Sequence, residues 1–187
     1  MSVSTQSRLH IRRLTTNATL VALFVVFSTL LSFKTPFFEV SLVSLPILLA
    51  AFYCGPVDAL IVAALGSFLE QALSAYGLSA TTPIWMAPVL LQALCAGLLF
   101  HFLCRKGGAK PVVLVAIILL SELVLTAANT AALYLDGAIW QYSVTALHIL
   151  LPGRLINGGV RCVLSAVLLP LVLPILTRTL PVRAQKQ

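Results

Sequence analysis

Four charged residues lie inside long apolar runs of this chain: Glu70, Glu122, Arg154 and Arg161. A charge at the centre of a bilayer costs about 2.5–3.5 kcal/mol on insertion scales, so such residues mark sites of function by default. Their spacing adds information. Glu122, Thr126 and Asn129 recur at i, i+4 and i+7, which is one face of a helix. Arg154, Asn157 and Arg161 recur at i, i+3 and i+7, again one face. If the two segments form a roughly symmetric antiparallel hairpin, Glu122 lies level with Arg161 and Asn129 level with Arg154. The first pair then sits near the midplane and Arg154 near one surface.

Two chemistries fit this pattern. Glu122 and Arg161 can be an ion pair that ties two helices together. Alternatively, the two faces line a polar cavity open to one side, where Arg154 and Arg161 bind an anionic solute. Arginine suits that task because its planar fork meets a carboxylate with two hydrogen bonds. The readings are compatible, with an inner pair ordering the helices and an outer arginine holding ligand. Glu70 and Gln71 fall at the same outer level, as does Trp85. A tryptophan there is either an interfacial anchor or a platform for a ligand ring.

Other chemistry finds little support. The chain has no HExxH, no GxSxG and no GxxxxGK[ST], so it carries no ATP site of its own. His101 and His148 fall near opposite ends of the bundle, which disfavours a shared metal. Cys54, Cys95, Cys104 and Cys162 form no CxxC pair and read as small core residues. No cofactor, metal or catalytic residue is expected. Two rival classes stay open. One is an intramembrane enzyme using Glu70, Glu122 or His148 as acid or base. The other is an assembly subunit whose polar faces pair completely.

The elements that must position these residues are membrane helices. Of 187 residues, 60% are hydrophobic and only 9% charged, with a net charge of +7. A soluble domain is about 45–50% apolar and about 25% charged, and a fold of this size could not hide the excess. A span needs about 20 mostly apolar residues. The runs 17–33, 40–54, 57–75, 84–103, 112–135 and 150–177 are read as six spans, the second short and carrying Pro46. Residues 136–148 read as a mixed segment or surface helix. The basic start of the chain resembles a signal peptide, but more apolar runs follow and no cleavage site precedes Lys34. The run is therefore taken as the first span.

The basic residues are not gathered on one face, which removes nucleic acid as a partner. Arg8, Arg12, Arg13, Arg105, Lys106, Lys110, Arg178, Arg183 and Lys186 all fall on the terminal side of a six-span chain, and Lys34 on the other. The positive-inside rule then places both termini in the cytoplasm. The expected architecture is an all-α integral membrane protein with a single membrane domain, 1–187. Basic cytoplasmic ends, 1–16 and 178–187, flank a six-helix bundle, 17–177.

Several stretches carry a family resemblance. Ala18-Thr19-Leu20-Val21-Ala22 places two small residues four apart on the first helix, which permits close helix approach in lipid. Phe33-Lys34-Thr35-Pro36-Phe37, Leu45-Pro46-Ile47, Gly55-Pro56 and Leu151-Pro152-Gly153-Arg154-Leu155-Ile156 add to it. In these the chain resembles the substrate-binding S components of energy-coupling factor (ECF) vitamin transporters, closest to the folate-type group. Residues 70–79 depart from the folate-type pattern. The resemblance implies a bacterial cell-membrane protein that binds a folate-like vitamin in its outer half. Candidate ligand residues are Phe37, Glu70, Trp85, Glu122, Asn129, Arg154, Asn157 and Arg161. It also implies that Ala18 and Ala22 pack on a transmembrane coupling subunit, which works with two ATPases.

Overall fold

The structure is a computed structural model, and it describes residues 2–34, 39–74, 77–104, 110–141 and 144–179. Six helices account for most of these: α1 (Ser2–Thr29), α2 (Ser44–Tyr53), α3 (Pro56–Leu73), α4 (Thr82–Cys104), α5 (Pro111–Trp140) and α6 (Val144–Thr179). Between α1 and α2 lie two short antiparallel strands, β1 (Phe33–Lys34) and β2 (Glu39–Val40), in the register Phe33↔Val40 and Lys34↔Glu39.

Among the described residues, five helical stretches are long and apolar enough to cross a membrane: His10–Thr29, Pro56–Leu73, Thr82–Cys104, Pro111–Trp140 and His148–Leu173. Their outward faces expose large side chains such as Leu65, Phe68, Leu120 and Leu123, as a bundle surrounded by lipid must. The expected second span is different. α2 has ten residues, about 15 Å of helix, half of a hydrocarbon core. Every residue from Ser44 to Phe52 is buried. It packs against α1, α3, α4 and α6, which is where a helix apolar on all sides belongs. The run 40–54 thus combines a strand end, a turn and a central half-length helix.

Residues 30–55 still carry the chain back across the bundle. Arg13 and Asn17, in α1, touch Asp58, in the first turn of α3, so α1 and α3 begin at the same end. The turn into α3 requires Gly55, whose φ of 109° few other residues adopt. Pro56 follows at the start of α3, where its missing N–H costs nothing. Gly97 lets α4 lie directly on this turn, because a Cβ there would come within 2.7 Å of the Pro56 Cα.

Three further boundaries differ from the sequence expectation. α1 begins at Ser2 and ends at Thr29, so the basic N-terminal stretch is helical and 30–33 are not. Residues 136–148 form no separate surface helix. α5 runs on to Trp140 and stops where Gln141 takes a left-handed cap, φ 55°. α6 begins at Val144, ahead of Pro152, so this proline lies within the helix.

Candidate functional site

The polar residues of α5 and α6 converge where these helices pack on each other and α4 packs on α5. Toward the C-terminal half of α5, Arg154 Nη1 donates to the Asn129 carbonyl oxygen at 3.0 Å. Its guanidinium carbon stands 5.5 Å from the centre of the Trp85 ring, within cation–π range. Trp85 comes from the first turns of α4 and is half-buried. It faces Arg154 across the bundle. Nearer the C-terminal end of α5, the Tyr134 hydroxyl and His148 Nδ1 are 3.3 Å apart and bridge α5 to α6.

Deeper in, Gly158 allows α6 to approach Thr126 closely, since a Cβ there would fall 2.5 Å from the threonine hydroxyl oxygen. Below this contact lies Glu122, only 1% exposed. One of its carboxylate oxygens, Oε1, accepts from Gln92 Nε2 at 3.2 Å and from Ser165 Oγ at 3.1 Å. The hairpin register therefore sets Arg154 beside Asn129, while Glu122 meets Ser165, one turn past Arg161. Arg161 is buried on the same α6 face. Asn157 is half-buried between the two arginines.

The remaining sequence candidates are spread out. Glu70 is half-buried toward the end of α3, a helix that packs on α1, α2 and α4. Phe37 lies outside the described residues. Ala18 and Ala22 are exposed on α1, whose opposite side, Leu20, Val21 and Phe24, enters the core. Two open concavities of about 420 and 390 Å³ are apolar, one on α6 around Gly159 and one between α4 and α5 around Ala87 and Ala132. Neither contains Arg154 or Glu122.

Two polar residues of weight escape a reading of sequence. Gln92 is fully buried in an otherwise apolar helix. Asp58, 2% exposed, receives Arg13 Nε at 2.9 and 2.7 Å and Asn17 Nδ2 at 2.7 Å. The available signals were Arg13 and Asn17 four apart on one helix, and an acid in the first turn after Gly55-Pro56. Arg13 is 45% exposed, so solvent screens the pair. Even so, removing Arg13 leaves Asp58 buried with Asn17 as its partner among the described residues. Arg13→Ala is expected to cost about 1–2 kcal/mol of stability, and Arg12→Ala, at an exposed position, less than about 0.5 kcal/mol. Thermal unfolding of both variants in detergent checks this; equal midpoints would contradict it.

The profile of the family "ECF transporter, substrate-specific component" matches residues 12–173. That range includes every residue of the α4–α5–α6 group. No curated protein matches the chain's sequence. Among solved structures, the chain is similar to the S component of a bacterial ECF transporter, with a TM-score of 0.64 and 22% identity, covering 89% of this chain and 98% of that one. At this identity the likeness speaks for the fold. The family consists of transporter components that bind substrate, so the enzyme alternative falls away. A helical membrane bundle with this match over most of its length belongs to the family of ECF transporter substrate-specific components.

Proposed function

We propose that the chain captures a scarce, anionic, folate-type vitamin at the outer face of a bacterial cell membrane. It then hands the vitamin to a coupling transmembrane subunit driven by two ATPases. In this reading both termini are cytoplasmic, in keeping with the clustering of basic residues at the terminal side. Arg154 is the anion-binding residue, Trp85 the ring platform, and Asn129, Asn157, Glu122, Arg161, Glu70 and Phe37 complete the site. Ala18 and Ala22 meet the coupling subunit. Transport occurs when the loaded bundle tips in the membrane and opens inward. The chain has no nucleotide motif, so energy must come from its partners.

The observation that carries this reading is the setting of Arg154. It is half-buried, laid over Trp85 and braced, among the described residues, on the Asn129 backbone carbonyl. No carboxylate is described against it, so its remaining N–H groups are suited to an incoming anion. A purely structural seam would pair its polar groups throughout. Here Asn157 Oδ1 and Glu122 Oε2 are buried without a hydrogen-bond partner, which favours a ligand over an assembly role. Quantifying the small molecules that leave with the purified protein tests the proposal; a near-stoichiometric anionic vitamin is expected.

A further inference from the structure

A second polar cluster, apart from the α4–α6 group, lies where α1 meets α3. Asp58, 2% exposed in the first turn of α3, accepts Arg13 Nε at 2.9 and 2.7 Å and Asn17 Nδ2 at 2.7 Å. Arg13 Nη2 also reaches Asp58 Oδ2, at 2.6 Å. Asn17 turns its amide nitrogen toward the carboxylate, and its own Oδ1 is buried with no partner among the described residues. A buried ion pair is a poor source of net stability, since apolar residues of similar volume often do as well. What it can add is a single preferred geometry.

The place of α1 gives that geometry a use. The helix packs on α3 and α2. Lipid tails are as apolar as leucine, so apolar contact alone sets the rotation of a membrane helix weakly. Phe24 gives α1 one fixed point: it is fully buried, and a Cβ on Gly66 of α3 would fall 2.6 Å from its ring. Asp58 gives a second, eight residues earlier in α3, about 12 Å along that helix. At about 100° per residue, Arg13, Asn17, Leu20 and Phe24 fall within about 60° of one another on α1. Ala22 lies about 180° from Arg13, and Ala18 about 140°. Any rotation that turns these alanines away withdraws Arg13 and Asn17 from Asp58 and strands a buried carboxylate. We infer that Asp58, Arg13 and Asn17 are positioning residues for coupling: they lock the rotation of α1, so that Ala18 and Ala22 face out toward the coupling subunit. This rests on the reading of these alanines as the partner face, and it adds the device on α3 that aims them.

The test measures how much coupling subunit is recovered with the tagged chain, per amount of folded chain, when both are produced together with the two ATPases. Arg13→Ala and Asp58→Asn are expected to lower recovery by roughly tenfold. Asp58→Asn keeps the size of the side chain but sets a donor where both neighbours also donate. If it yields no folded chain, Arg13→Ala, at a position 45% exposed, carries the test. Arg13→Lys restores the charge without the planar fork and is expected to fall between. Arg12→Ala removes the same charge from an exposed neighbour and is expected to stay within about twofold. Ile118→Val separates positioning from loss of stability. It opens a small cavity in the core of α5, a helix that packs mainly on α4 and α6, and is expected to lower the thermal midpoint without lowering recovery. Ala22→Trp is the control for the partner face and is expected to abolish recovery. Normal recovery with Arg13→Ala and Asp58→Asn, while Ala22→Trp blocks it, overturns the inference and leaves the partner face standing. A loss in Arg12→Ala or Ile118→Val equal to that in Arg13→Ala also overturns it, with charge or stability as the cause. If Ala22→Trp itself couples normally, the partner face has failed and the inference falls with it.

Discussion

Arg154→Ala is expected to weaken binding of the anionic ligand by roughly 100-fold or more, about 3 kcal/mol, while the protein stays folded. The guanidinium is expected to meet the anion through a charge-assisted fork, the strongest type of polar contact available to a side chain. Among the described residues, Arg154 is held by the Asn129 carbonyl and the Trp85 ring. That carbonyl lies on α5, so truncating the arginine breaks no ion pair described at this site and should leave the thermal midpoint nearly unchanged. Arg154→Lys keeps the charge but loses the planar fork and the stacking on Trp85, and should fall between the two. Fluorescence titration of the purified variants reads the effect. Unchanged affinity in Arg154→Ala would remove this residue from the site.

A tryptophan at Ala18 or Ala22 is expected to abolish uptake and leave ligand affinity intact. Both alanines are exposed on α1, and their side of the helix is not the one that carries Leu20, Val21 and Phe24 into the core. A bulky ring there has room in lipid, so the bundle should fold normally. The same ring would prevent the close backbone approach that small residues four apart permit between membrane helices. Two measurements separate the effects: vitamin uptake by cells carrying the coupling module, and recovery of the coupling subunit with the tagged variant. Intact co-purification and normal uptake would show that this face of α1 is not the interface.

Much of the architecture was legible because lipid imposes simple patterns. The apolar runs behind α3, α4 and most of α5 are long and bounded by Gly, Pro or charge, so their existence and approximate limits follow from length alone. The one-face spacing of Glu122, Thr126 and Asn129 against Arg154, Asn157 and Arg161 anticipated the α5–α6 seam, and Arg154 does meet Asn129. α2 was misread because a 15-residue apolar run (40–54) has the composition of a span whether it faces lipid or lies in the middle of a bundle. Only tertiary packing shows that each residue from Ser44 to Phe52 is buried. The ends of α1, α5 and α6 were misplaced for a related reason. Polar residues such as Arg12, Asp136 and His148 end an apolar pattern without ending a helix.

The buried polar positions of the candidate site were legible where charge marked them and illegible where it did not. Arg154 stands out in any hydropathy reading. Gln92 does not, because a lone amide in an apolar helix gives no hint of its partner, and here that partner is 30 positions away. Asp58 was hidden by its place next to Gly55-Pro56, where an acid looks like an ordinary helix start. Its pairing with Arg13 and Asn17 depends on how α1 lies on α3. Trp85 could be an anchor or a platform by sequence, and its 5.5 Å approach to Arg154 depends on tertiary packing that no local pattern reveals.

The most direct test of the central claim is mass spectrometry of the small molecules that co-purify with the protein, compared with the Arg154→Ala variant. A folate-type, anionic vitamin in near-stoichiometric amount, absent from the variant, is expected. A well-folded preparation that retains no small molecule when supplied with the vitamin, or one whose bound molecule is unaffected by loss of Arg154, would contradict the claim that this bundle is a receptor built around that arginine.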